Sequence, residues 1–201
     1  MEKIKILWEE MIHEWKFLSQ KAVHYADKRW NPQKWEFATR WNEWAVWTLV
    51  EHTDRQSFFF VEQYRMPVQK RVLELVSGIC DMENASKEEI VSAEIREEIW
   101  YQSWKINFLL SSPNSAWLTD EIWHLYSSTV SWEYLWQELW ESEEIEILEI
   151  DKSEVFHFLQ EKQNSWVLVS KSIYAALALY LYEQAPLVLE MLLQKNNFDR
   201  K

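Results

Sequence analysis

Glu94, Glu97 and Glu98 sit at spacings i, i+3 and i+4 in the run Ala93-Glu94-Ile95-Arg96-Glu97-Glu98-Ile99. On a helix those positions lie on one side, so the three carboxylates project toward a common region. Like charges gathered so closely repel, and a folded chain offsets them with Arg and Lys or with a hard divalent cation that takes oxygen ligands. The chemistry such a cluster supports is hydrolysis of an anionic substrate. Bound cations neutralise phosphate oxygens and lower the pKa of an attacking water, and a neighbouring carboxylate takes its proton. A plain solvated acidic face has the same spacing, since Glu is a good helix former, so spacing alone leaves both readings open.

The helix that must present these residues is the clearest element in the chain. Ser86-Lys87-Glu88-Glu89 is a capping box, in which Ser86 accepts from a first-turn N–H and Glu89 reaches back. Ile90, Val91, Ala93, Ile95 and Ile99 supply an apolar stripe. Trp100 occupies the position just past the helix end, where a left-handed residue is usual and glycine is preferred. Before the helix, a strand over 71–76 leads into Ser77-Gly78, and two β-rich runs, 44–50 and 57–64, flank the turn-like His52-Thr53-Asp54-Arg55. Two or three strands are expected within 3–26. Further strands are expected at 101–110, 122–130 and 144–150, with helices at 153–163 and 168–184 and a helical tail to about 195. Interleaved strands and helices give a mixed class rather than a bundle or an all-strand sandwich.

With this context, the strand, Ser77-Gly78 loop, capped helix and carboxylates resemble the Nudix box. That pattern runs Gly, five residues, Glu, seven residues, then Arg-Glu-apolar-any-Glu-Glu-any-Gly-apolar. Its right half reads Ala93-Glu94-Ile95-Arg96-Glu97-Glu98-Ile99-Trp100-Tyr101, with Ala93 in the arginine slot and Trp100 in the glycine slot. Gly78 lies one residue further from Ala93 than in the standard box, a lengthening similar to that of members resembling UDP-sugar pyrophosphatases. The slot of the first box glutamate falls on Asn84 or Ala85. In the family that glutamate pairs with the box arginine, and both are missing here. Losing one member of a buried ion pair is destabilising by about 3–5 kcal/mol, whereas replacing both is often neutral.

Three further segments carry the resemblance in the right order. Glu62-Gln63-Tyr64-Arg65, followed by Leu73-Glu74-Leu75-Val76-Ser77-Gly78, looks like the Glu-Gln-x-Arg and Leu-Glu-x-Pro-Ala-Gly segments of ADP-ribose pyrophosphatases. Ser112-Pro113-Asn114-Ser115-Ala116-Trp117-Leu118-Thr119-Asp120-Glu121 is similar to their substrate loop, and 138–146 resembles their late acidic segment. The resemblance implies an α+β fold, the Nudix α/β/α sandwich with a mixed sheet. An N-terminal strand-rich extension over 1–43 would mediate homodimerisation, and the hydrolase domain would span 44–201. It also implies roles for individual residues. Glu94, Glu98, Glu143 and the carbonyl of Ser77 would hold Mg²⁺, with Mn²⁺ as an alternative. Glu141 would be the base and Glu97 would assist catalysis. Arg65, Glu74 and Glu121 would bind a small nucleotide sugar, an ADP-ribose or a UDP-sugar, whose pyrophosphate is split into nucleoside monophosphate and sugar phosphate. The runner-up is a degenerate Nudix domain that binds such a ligand as a sensor or regulator. The altered slots at Ala93 and at Asn84 or Ala85 favour it.

A formal net charge of -12 argues against a broad nucleic-acid surface, which needs a basic face. Cys80, the one cysteine, leaves no disulfide framework, and the charged N-terminus has no signal-like apolar run. A cytoplasmic protein with no membrane span is therefore expected. The counts of glycine and tryptophan are odder. The chain has 201 residues, one glycine, Gly78, and 15 tryptophans, although average usage would give about 14 glycines. Trp30, Trp41, Trp44, Trp132 and Trp166 lie in segments that read as turns once Trp is replaced by Gly. That is the pattern expected of a gene that uses UGA for glycine when UGA is translated as tryptophan. Trp35 reads as an authentic aromatic. The competing reading is a tryptophan-rich carbohydrate-binding module. Tryptophan made as written at cap and turn positions predicts poor folding, because a residue held in a sparsely populated backbone region is destabilising by about 1–3 kcal/mol.

Overall fold

The structure is a computed structural model that describes residues 4–40, 44–79, 85–134 and 145–198. The chain divides into two compact units, Met1–Ala45 with Ile79–Asp81 and Ser111–His124, and Val46–Gly78 with Met82–Leu110 and Leu125–Lys201.

The first unit is built on an antiparallel sheet of β1 (Lys5–Glu14), β2 (Ser19–Ala26) and β3 (Pro32–Thr39), in that order. Two strands thus lie within the stretch expected to hold two or three, and a third follows it. β3 escaped the sequence pattern because most of it is exposed and it shows no apolar alternation. The β2–β3 register closes on Ala26↔Pro32. The connection is set by Asp27, whose carboxylate accepts from the N–H groups of Arg29 (2.8 Å) and Asn31 (2.9 Å). In the same unit the Ala38 N–H donates to the Leu118 carbonyl (2.7 Å), tying β3 to the segment between Asn114 and Glu121.

The larger sheet contains eight strands. They are β4 (Trp44–His52), β5 (Ser57–Arg65), β6 (Lys70–Glu74), β7 (Val76–Ile79), β8 (Tyr101–Pro113), β9 (Ile122–Tyr134), β10 (Glu146–Asp151) and β11 (Leu168–Val169). The order is β11-β6-β5-β4-β9-β8, with β10 on β5 and β7 on β4. β11 runs parallel to β6, whereas β5 is antiparallel to β4, β6 and β10, so the sheet is mixed. β5 is buried from Ser57 to Glu62, which is why its sequence is a continuous Phe58-Phe59-Phe60-Val61 run instead of an alternation.

The helices are α1 (Lys87–Ile99), α2 (Val155–Gln163) and α3 (Lys171–Phe198). Phe58, Phe60, Leu49, Leu73 and Leu125 form one core with Val155 and Leu159 of α2 and Ile173 and Leu177 of α3. Side chains alternate across a strand, so Tyr126 faces away from Leu125, and its hydroxyl reaches Glu88 on α1 (3.4 Å). Helices therefore cover both faces, giving an α/β/α arrangement. The helix and tail expected over 168–195 are one helix containing Pro186, preceded by the short β11. Among the described residues, no helix is long and apolar enough to cross a membrane.

Candidate functional site

α1 begins as its sequence dictates. The Glu89 N–H donates to Ser86 Oγ (3.2 Å) and the Ser86 N–H donates to Glu89 Oε2 (2.7 Å), so two otherwise unsatisfied donors are met reciprocally. Ile90, Val91, Ile95 and Ile99 are buried and fix the rotation of the helix. That rotation decides where the glutamates go. Successive residues turn by about 100° on a helix, which places Glu98 about 40° to one side of Glu94 and Glu97 about 60° to the other.

Glu94 and Glu98 are half-buried and both meet the β7 segment. The carboxyl group of Glu94 packs so closely on Gly78 that a Cβ there would overlap Oε1 and Cδ. The Ser77 N–H donates to Glu98 Oε2 (3.2 Å). Here the chain's one glycine has a steric reason: backbone and carboxylate approach within a distance no side chain permits. Glu97 is exposed on α1. Among the described residues, no group of three or more His, Cys, Asp or Glu side chains comes together so as to hold a metal ion. Of the three glutamates grouped by spacing, Glu94 and Glu98 are the two that meet the backbone of β7. Carboxylates and a backbone carbonyl such as that of Ser77 are hard oxygen donors, the kind of ligand that Mg²⁺ takes. Glu141 and Glu143, expected as base and late metal ligand, lie outside the described residues, as do Cys80 and Asn84.

Arg65 and Glu74 form an ion pair across the β5–β6 hairpin (2.7 Å), with the Glu74 side chain mostly buried. Glu121 stands at the end of the segment that begins at Asn114. The Asn114 side-chain amide donates to its carboxylate, and the Asn114 N–H donates to its carbonyl (3.0 Å).

The sequence reading missed a second carboxylate centre. Glu62, with its side chain only 4% exposed, takes Arg71 on Oε1 (2.5 Å) and Lys162 on Oε2 (2.5 Å), and Arg71 also meets Glu146 (3.1 Å). Burial pushes this carboxyl up, but the hydrogen bonds from Lys162 and Arg71 and their charges outweigh it and hold it below the usual range. The available signal was a glutamate closing a run of buried apolar residues in a central strand, a position where only a paired charge is tolerated.

No protein-family model matches the chain. It is 29% identical over 137 residues, 67% of this chain and 71% of the other, to the methanol dehydrogenase activator of Bacillus methanolicus. Among solved structures it is similar to one described as an ADP compounds hydrolase, with a TM-score of 0.75 at 14% identity, covering 92% of this chain and 96% of that one. The mixed sheet flanked by few helices and this structural likeness give the chain the α+β fold of the Nudix hydrolases.

Proposed function

We propose that the chain is a Nudix hydrolase that splits the pyrophosphate of a nucleoside diphosphate compound, of the ADP-ribose or UDP-sugar type. The observation that carries this reading is the placement of Glu94 and Glu98 against Ser77 and Gly78. A capped helix and a strand end there supply oxygen donors from two elements to one small volume. Glu94, Glu98 and the Ser77 carbonyl would hold Mg²⁺, joined by Glu143 from the late acidic segment. Bound there, the cation would neutralise phosphate oxygens and acidify a water. The residues of the chain do the rest. Glu141 takes the proton of the attacking water, Glu97 supports the acidic cluster from its exposed side, and Arg65, oriented by Glu74, binds the anionic ligand. Glu121 belongs to the same proposal as a ligand-binding residue.

Incubation with ADP-ribose, UDP-glucose and Mg²⁺ tests the reading. Release of nucleoside monophosphate that stops on chelation and in Glu98→Gln supports it. Tight binding with no turnover supports the second reading, a domain that senses a nucleotide without cleaving it. That alternative is favoured by the name of the curated relative, an activator of a dehydrogenase, and by the altered slots at Ala93 and at Asn84 or Ala85. Homodimerisation through the N-terminal strands belongs to the same proposal. Ile6, Trp8 and Met11 of β1 are half or more exposed, and light scattering of the full chain decides between monomer and dimer. A cytoplasmic location completes it.

A further inference from the structure

Four described residues adopt the left-handed backbone region, Trp30 (φ 64°), Gln56 (φ 55°), Gln69 (φ 51°) and Trp100 (φ 67°). Glycine is the default occupant of that region, because any Cβ crowds the neighbouring carbonyl there. Here glycine fills none of the four. The chain's lone glycine is spent on the close approach of Glu94, with φ outside that region. Gln56 and Gln69 are exposed residues of hairpin turns with unbranched, flexible side chains. The two tryptophans are different. A bulky residue at positive φ is an outlier, and neither position has freedom to move.

Trp100 is the left-handed cap of α1 (φ 67°, ψ 28°), and β8 begins at the very next residue. Trp30 closes the β2–β3 connection, donating its N–H to the Asp27 carbonyl (2.9 Å), while the residue is 74% exposed and its ring meets the Lys5 ammonium at the surface (5.7 Å to the ring centroid). Trp117 (77% exposed) and Trp166 (88%) share that exposure, whereas Trp47 packs against the core. One residue type is thus doing two jobs, aromatic filler in some places and turn former in others. The composition has the matching defect, one glycine against 15 tryptophans where about 14 glycines are usual.

We infer that Trp30 and Trp100 stand at glycine positions of the protein as its source makes it, each encoded by UGA that the source reads as glycine. Glycine at 100 ends α1 two residues after Glu98 without strain, so it positions the helical turn that carries Glu97 and Glu98. The inference is independent of which reaction the site performs.

The codons decide it first. UGA at positions 30 and 100, with UGG at Trp35 and Trp47, is the expected result; UGG at position 30 or 100 overturns it. The second test melts the full chain beside a W30G/W100G variant. Relief of two strained sites raises Tm by at least about 4 °C in a chain of this size, and an equal or lower Tm for the variant overturns the inference. Neither readout involves hydrolysis, so failure here is distinguishable from failure of the proposed activity.

Discussion

The two ends of α1 are built on opposite terms. At its start, Ser86 and Glu89 satisfy each other's backbone donors, acidic Glu88 and Glu89 face the positive end of the helix dipole, and every local preference agrees with the fold. At its finish, two glutamates are drawn together against a strand end, in the half of the helix where the dipole disfavours negative charge, and a tryptophan is held at positive φ. Where a chain keeps all its local rules it is building scaffold. Where it breaks them the usual cause is function. This helix breaks them twice at one end, and the two breaks have separate readings: the carboxylates belong to the proposed chemistry, the tryptophan to the inferred coding.

The largest expected effect separates the ends by activity. Glu98→Gln keeps the size of the side chain and its ability to accept from Ser77, but removes the charge. Hydrolysis should fall by about 100-fold or more, about 2.7 kcal/mol of barrier, with Tm unchanged or slightly higher as acidic repulsion and the unfavourable dipole contact are relieved. A variant with full turnover would break the contrast by making this end scaffold as well. Next comes Gly78→Ala. Its Cβ would overlap the Glu94 carboxyl group, so either Glu94 swings away or β7 shifts. The expected result is a turnover loss of about 10- to 100-fold, the range found when a group supporting metal ligands is disturbed, together with a lower Tm. Retained activity would mean that Glu94 has no fixed place beside the strand.

How far this was legible in the residues depends on how local each signal is. The capped helix and its apolar stripe could be read because cap, period and terminal position all lie within a few residues of one another, and the left-handed backbone at 100 followed from the same rule. The pairing of Glu94 with Gly78 could not be read from spacing, since it depends on the rotation of α1 against β7 that the buried Ile90, Val91 and Ile95 impose. Spacing grouped three glutamates, and that rotation leaves Glu97 exposed while Glu94 and Glu98 are half-buried. Glu62 was hidden for the same reason: its partners Arg71 and Lys162 come from β6 and α2, and nothing in the strand itself announces them. β3 and the passage of α3 through Pro186 were also obscure. An exposed strand carries no alternation, and a proline normally argues for a helix end.

Glu62 sharpens the contrast, as a buried carboxylate whose charge is met by Arg71 and Lys162. Its folded value lies below the ordinary 4.5, so its ionised form contributes stability that is fully present above that value and is lost as pH falls through the folded value. Urea unfolding between pH 6 and pH 3 should show this loss, and Glu62→Gln should flatten that part of the profile while leaving the pH dependence of hydrolysis unaltered. A changed activity profile in that variant would place Glu62 in the site instead.

The smallest expected effect comes from the obedient end. Ser86→Ala removes the side-chain acceptor for the Glu89 N–H and leaves Glu89 to hold the Ser86 N–H alone. Loss of a serine cap is typically worth about 1 kcal/mol, or roughly 2–4 °C in Tm for a chain of this length. Because the cap lies two turns away from Glu94 and the buried Ile90 and Val91 between them hold the helix in register, turnover at temperatures well below the melt should be the same as in the parent chain. A fall in turnover as large as that of Gly78→Ala would mean that fraying at the first turn reaches the carboxylates, and that the two ends of α1 are one cooperative device instead of a scaffold and a site joined by a rigid rod.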